Sequence, residues 1–158
     1  MSRALRFAMA VAIMAGFTAG AGAQAPATQK APAAIEAAFK KAYPNATIKN
    51  VMKETLEGKT VYEVESVDNG KGRNIDYNPD GSIVVIEDEL TEAEFPPAVA
   101  AAIAKRYPKA TIGLREKLTI TKGSLTQYEA ELKGAGSVVE VVLTVDGTWV
   151  LPKVLPKP

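Results

Sequence analysis

The side chains in this sequence best placed to do chemistry are carboxylates spaced two apart. They are Glu63 and Glu65 in Tyr62-Glu63-Val64-Glu65, and Glu129 and Glu131 in Tyr128-Glu129-Ala130-Glu131. On a β-strand, residues two apart project from one face, so each pair could share a cation, act as a general acid–base pair or meet a polar partner. Asn74, Asp76 and Asn78 repeat the spacing, and Gln127 and Glu140 extend it in the second half. Any antiparallel sheet with a solvated face shows the same alternation without being a site. Other chemistries lack their parts. With no Cys and no His among 158 residues, there is no thiolate nucleophile, no disulfide, no Cys–His zinc site and no imidazole base. Ser66, Ser82, Ser124 and Ser137 therefore have no imidazole partner. The expectation is no catalytic residue, no metal ligand and no cofactor.

The elements that must hold these carboxylates occur twice. Pro32 to Ile48 reads PAAIEAAFKKAYPNATI and Pro96 to Ile112 reads PPAVAAAIAKRYPKATI, identical at ten of seventeen positions at a shift of 64. The match resumes at a shift of 66, where Asp80-Gly81-Ser82 faces Asp146-Gly147-Thr148. Two residues gained between the blocks point to a longer hairpin loop in the second copy. Each copy opens with a helical stripe: Ile35, Ala38, Phe39, Ala42 and Tyr43, then Val99, Ala102, Ile103, Arg106 and Tyr107. Pro32 and Pro96-Pro97 suit helix starts, while Pro44 and Pro108 turn the preceding tyrosine away from helical geometry. The Tyr-Pro pair is thus punctuation.

After each helix come β-branched segments of period two, broken by Gly and Asn/Asp turns. They predict strands near 46–56, 60–67, 73–78 and 82–87, then 110–120, 125–133, 137–145 and 148–151. Alternation puts Tyr62, Val64, Ile75, Tyr77, Ile83 and Val85 on a dry face, with Tyr128, Ala130, Leu132, Val141, Leu143 and Trp149 in the second copy. The carboxylates named above fall on a wet face. The fold class expected is α+β: two tandem α-β-β-β-β units, each a helix on one face of an antiparallel sheet, the two packed together or merged into one eight-stranded sheet.

The flanks read differently. Arg3 and Arg6 before the apolar run Phe7 to Phe17 and Ala21-Gly22-Ala23 predict a signal peptide over 1–23, cut after Ala23 and leaving no membrane anchor. The remaining chain has a net charge of −1, which argues against nucleic-acid binding. Residues 24–31 are expected to be a mobile leader, 32–90 and 91–152 the two units, and 153–158 a proline-rich tail. Residues 87–95, with five acids, read as a solvated linker, since their spacing does not match an EF-hand loop.

The order helix, Tyr-Pro-x-Ala, long strand, Tyr-Glu-x-Glu and Asp-Gly-Ser/Thr turn resembles the PepSY-like family described as beta-lactamase-inhibitor-like, from Pro32 to about Leu151. The resemblance implies exported tandem modules whose helices lie on one side of an antiparallel sheet, in the manner of a beta-lactamase inhibitor protein. It implies no common activity, and a shared fold does not by itself carry inhibition over. The function expected is a periplasmic or secreted, non-enzymatic binding module. Its polar sheet face (Glu63, Glu65, Asn74, Asp76, Asn78, Gln127, Glu129, Glu131 and Glu140) would take an envelope protein or peptide, as an inhibitor or regulator of an envelope hydrolase. The alternative is a small-ligand or divalent-cation sensor.

Overall fold

The computed structural model describes residues 29–56, 58–134 and 137–151. The expected signal peptide, residues 24–28 of the expected leader and the tail from 152 lie outside the described residues. Residues 29–31 are described and packed: Gln29 N–H donates to the Val51 carbonyl at 3.0 Å and Ala31 is buried. The packed chain therefore includes the last part of the expected leader.

Helix α1 (Ala33–Ala42) is followed by strands β1 (Thr47–Leu56), β2 (Lys59–Asp68), β3 (Lys71–Tyr77) and β4 (Ile83–Glu89). After a 3-10 turn at Glu92–Glu94, the pattern recurs as α2 (Pro97–Arg106), β5 (Thr111–Ile120), β6 (Leu125–Gly134), β7 (Ser137–Leu143) and β8 (Trp149–Leu151). All eight strands form one antiparallel sheet in sequence order. The units merge where β4 pairs with β5, from Val85 opposite Ile120 to Glu89 opposite Glu116. Thr121 locks the end of that seam, its hydroxyl donating to the carbonyls of Ile83 and Val84 at 2.8 and 3.0 Å.

The repeated motifs do local work. The peptide N–H of Tyr43 closes the last turn of α1 on the Phe39 carbonyl, and that of Tyr107 closes α2 on Ile103. Each tyrosine carbonyl then accepts from the alanine three residues on, Ala46 or Ala110, so Tyr-Pro-x-Ala is a helix stop folded into a turn. In Asp-Gly-Ser/Thr, the Asp80 carboxylate accepts from the Ser82 N–H and hydroxyl, and Asp146 from Thr148. Gly81 and Gly147 sit at φ of +86° and +84°, and a Cβ there would lie 2.8 Å from the Ala34 carbonyl oxygen and 2.7 Å from that of Ala98. Only glycine lets this turn press against the start of its helix. The two extra residues lie in the hairpin loop, 121–124 against 57–58.

Each helix packs on its own half of one sheet face. Ile35 and Phe39 meet Val51, Val64, Ile75 and Tyr77, while Val99 and Ile103 meet Ala130, Leu132, Val141, Leu143 and the partly buried Trp149. Two expectations fail. Val85 lies on the opposite face, because a bulge sets Asp76 opposite Val85 but Tyr77 opposite Ile83, so Val84 is the extra residue that flips the alternation. The same bulge recurs at Val142/Leu143 against Trp149 and Leu151. Nor is all of 87–95 a solvated linker: Thr91 to Glu94 are exposed, but Glu87 to Glu89 are rungs of β4, Glu87 is buried, and Phe95 is 5% exposed in the core beneath α2. The backbone there is drawn into the sheet by pairing with β5, and Thr91 and Glu94 cap the turn that follows.

Candidate binding face

The face away from the helices is where the sequence placed its carboxylates, and strand pairing sets their order. Glu63 on β2 stands opposite Asp76 on β3, and Glu65 opposite Asn74, itself opposite Glu87 on β4. Across the seam Glu89 faces Glu116, Glu116 faces Glu129, and Glu131 faces Glu140. Like charges directly opposite on neighbouring strands repel. The repeats place them differently: Glu63 and Glu129 correspond, but Asp76 corresponds to Val142 and Met52 to Glu116. The acidic pair therefore lies on the β3 side in the first unit and the β5 side in the second.

This face is not the solvated surface the alternation suggested. Glu63 is 2% exposed, and Asn74, Asp76, Glu116 and Glu129 are also buried. Apolar side chains share the face. Val85, Leu118, Ile120 and Val142 form a third cluster with Val84 and Val150, and Met52, Val61 and Val85 are the strand partners of Glu63, Glu54 and Asp76. Glu65, Gln127, Glu131 and Glu140 are half-buried on the same face, and Glu131 pairs with Lys133 at 3.0 Å. Asn78 is not part of it: it follows β3 in the turn, where its side chain donates to Ser82 Oγ at 2.9 Å. Sequence reasoning missed Glu54, Glu87 and Glu116. Alternation along β1 and β5 would have exposed Glu54 and Glu116, whereas Glu87 was hidden by being read as linker.

Burial and crowding hold protons on this face at neutral pH. Burial first, then the carboxylates of Glu87, Asp76, Glu54 and Glu65, pushes Glu63 up to about 9. Burial and Glu54 push Asp76 up to about 7. Glu87 lies well above the carboxylate range through burial, then Glu116 and Asp76. Glu54 is raised by burial and partly relieved by a hydrogen bond with Glu63, which requires a proton between the two carboxyls. Among the described residues no three acidic side chains converge into a group that could hold a metal ion.

A duplicated helix-and-four-strand unit, merged into one sheet with both helices on one side, defines the class. The chain belongs to the family described as "Putative beta-lactamase-inhibitor-like, PepSY-like", whose profile matches residues 23–83 and again 60–151. Several solved structures share the fold. A "putative periplasmic" protein from Bacteroides eggerthii superposes with a TM-score of 0.64 at 19% identity, and a DUF2874 family protein from Bacteroides uniformis with 0.62 at 24%; both pairings cover 77% of this chain and 87% of the other. A BLIP-like protein from Bacteroides fragilis gives 0.55 at 23% identity, over 82% of this chain and 86% of that one. No curated protein sequence matches the chain.

Proposed function

We propose that this protein is an exported, non-catalytic binding module that engages a protein or peptide of the bacterial envelope through the sheet face opposite its helices. One observation carries the reading: both helices pack on the same side, so the other side of the sheet carries carboxylates and a third apolar cluster with no helix among the described residues laid over them. Mixed polar and apolar surface on one rigid sheet is what a polypeptide partner needs, since apolar patches supply affinity and charges supply orientation. The periplasmic description of one relative and the BLIP-like description of another agree with export and with binding. Regulation of an envelope hydrolase is the role such a module would serve. The cation-sensor alternative has less support, because the carboxylates do not converge as ligands would.

The test is cross-linking in intact cells from a photoreactive residue in place of Glu65 on the binding face, compared with one in place of Glu36 on α1. The reading predicts a discrete protein adduct from position 65 and none from position 36. Adducts from position 36 alone, or from neither, would refute it.

A further inference from the structure

Resting on that reading, we propose that the partner delivers a lysine or arginine side chain into the carboxyl cluster of Glu54, Glu63, Asp76 and Glu87. Three strands and the bulged β4 bring these groups together: Glu63 is rung-opposite Asp76, Glu54 lies one rung along β1, and Glu87 follows Val85 along β4. Glu63 is 2% exposed, and among the described residues its Oε2 has no hydrogen-bond donor. An unpaired buried oxygen carries a standing desolvation cost that a donor would relieve.

Several features select the donor. No ion pair among the described residues involves any of the four acids. Lys59, the basic residue in the same row of β2, stands at the exposed hairpin end, about 13 Å along the strand from Glu63. The acids are neighbours without converging as a metal would require. An ammonium with three donors, or a guanidinium with five in a planar fork, can bridge separated carboxyls that a small ion cannot. Met52, Val61 and Val85 are buried beside the acids, and they suit the aliphatic stem of a long basic side chain. Among the described residues, the charged groups facing Glu63 are Glu54 on β1, Glu65 on its own strand, Asp76 on β3 and Glu87 on β4. All are acidic, so an arriving cation displaces protons held there and these leave to solvent.

The experiment is calorimetric titration of the whole protein, purified after export, in two neutral buffers of different ionisation enthalpy. The probes are an amphipathic Lys/Leu peptide, the same peptide with every Lys replaced by Gln, a Glu/Leu twin, and calcium chloride. The proposal predicts that the Lys/Leu peptide binds saturably and at least about tenfold more tightly than the Gln/Leu peptide, with a heat that differs between buffers because protons are released. Glu63→Gln with Asp76→Asn should abolish both the preference and the buffer difference, whereas Glu36→Gln should change neither. The double variant removes like-charge repulsion, and an unchanged or raised melting temperature shows that it is folded. If the Gln/Leu or Glu/Leu peptide binds as well and the double variant abolishes that binding, the face binds polypeptides but the cation assignment is wrong. If no peptide binds saturably, the binding reading falls with it. If calcium gives the buffer-dependent heat and Glu63→Gln removes it, the occupant is a metal and the proposal is overturned.

Discussion

Buried carboxyls usually stabilise a fold at neutral pH when they are ionised and paired; Glu63 and Asp76 do the opposite. Both bind a proton more tightly folded than unfolded, Glu63 at about 9 and Asp76 at about 7 against ordinary values of 4.5 and 3.8. Between each pair of values the folded state holds more protons, so stability falls as pH rises through that window and is fully present below the unfolded value. The melting temperature should therefore be higher at pH 5 than at pH 8, and Glu63→Gln should flatten the difference. Each tenfold gain in proton affinity is worth about 1.4 kcal/mol, so a variant showing no change in slope would contradict the assignment. A second residue-scale prediction concerns the glycines at left-handed φ. Gly81→Ala and Gly147→Ala each force a Cβ against a helix carbonyl at 2.8 and 2.7 Å, and each should cost about 1–3 kcal/mol in denaturant unfolding. Near-neutral variants would show that the turn can back away from its helix. The motifs themselves were legible in the sequence, because Asp-Gly and Tyr-Pro have strong local geometry. The protonation of Glu63 was not, since it depends on Met52 and Asp76, which only strand pairing brings beside it.

At the scale of elements, helices and strands were legible wherever the local period was unbroken, and both helices stop at the tyrosine the Tyr-Pro pair implied. The failures share a cause: a strand's fate is decided by its partner. Residues 87–89 are acidic and look solvent-bound in isolation, yet pairing with β5 makes them rungs of the sheet. Val85 looked like a core residue of the helix side until one bulge residue, Val84, reversed its direction. Phe95 shows how firmly the connection is held, lying edge-on to Tyr128 at 6.3 Å with the Arg115 guanidinium 5.9 Å from its ring. Phe95→Ala should cost about 3–5 kcal/mol. A loss under 1 kcal/mol, read from the denaturant midpoint, would restore the picture of a loose linker. Exposed Glu94, bonded to Lys71 at 2.7 Å, should matter far less, as surface ion pairs usually do.

For the whole molecule, duplication makes a small unit viable by sharing an edge. One copy alone would leave β4 or β5 with an unpaired ladder, and merging removes both edges at once. Both halves should consequently unfold in one transition, with Ile35→Ala in the first and Val99→Ala in the second lowering the same melting temperature; two separable transitions in calorimetry would speak against merger. The merged sheet also makes the carboxylate face continuous from Glu63 to Glu140, which neither repeat could provide alone. That continuity is the claim on which the binding account depends, and amide hydrogen exchange at the seam measures it most directly. If the sheet is continuous, the amides that bridge β4 and β5 between Val85–Glu89 and Glu116–Ile120 will exchange as slowly as those between β2 and β3, through global unfolding. Seam amides that exchange orders of magnitude faster than the strands on either side would mean two sheets lying side by side, and no shared face.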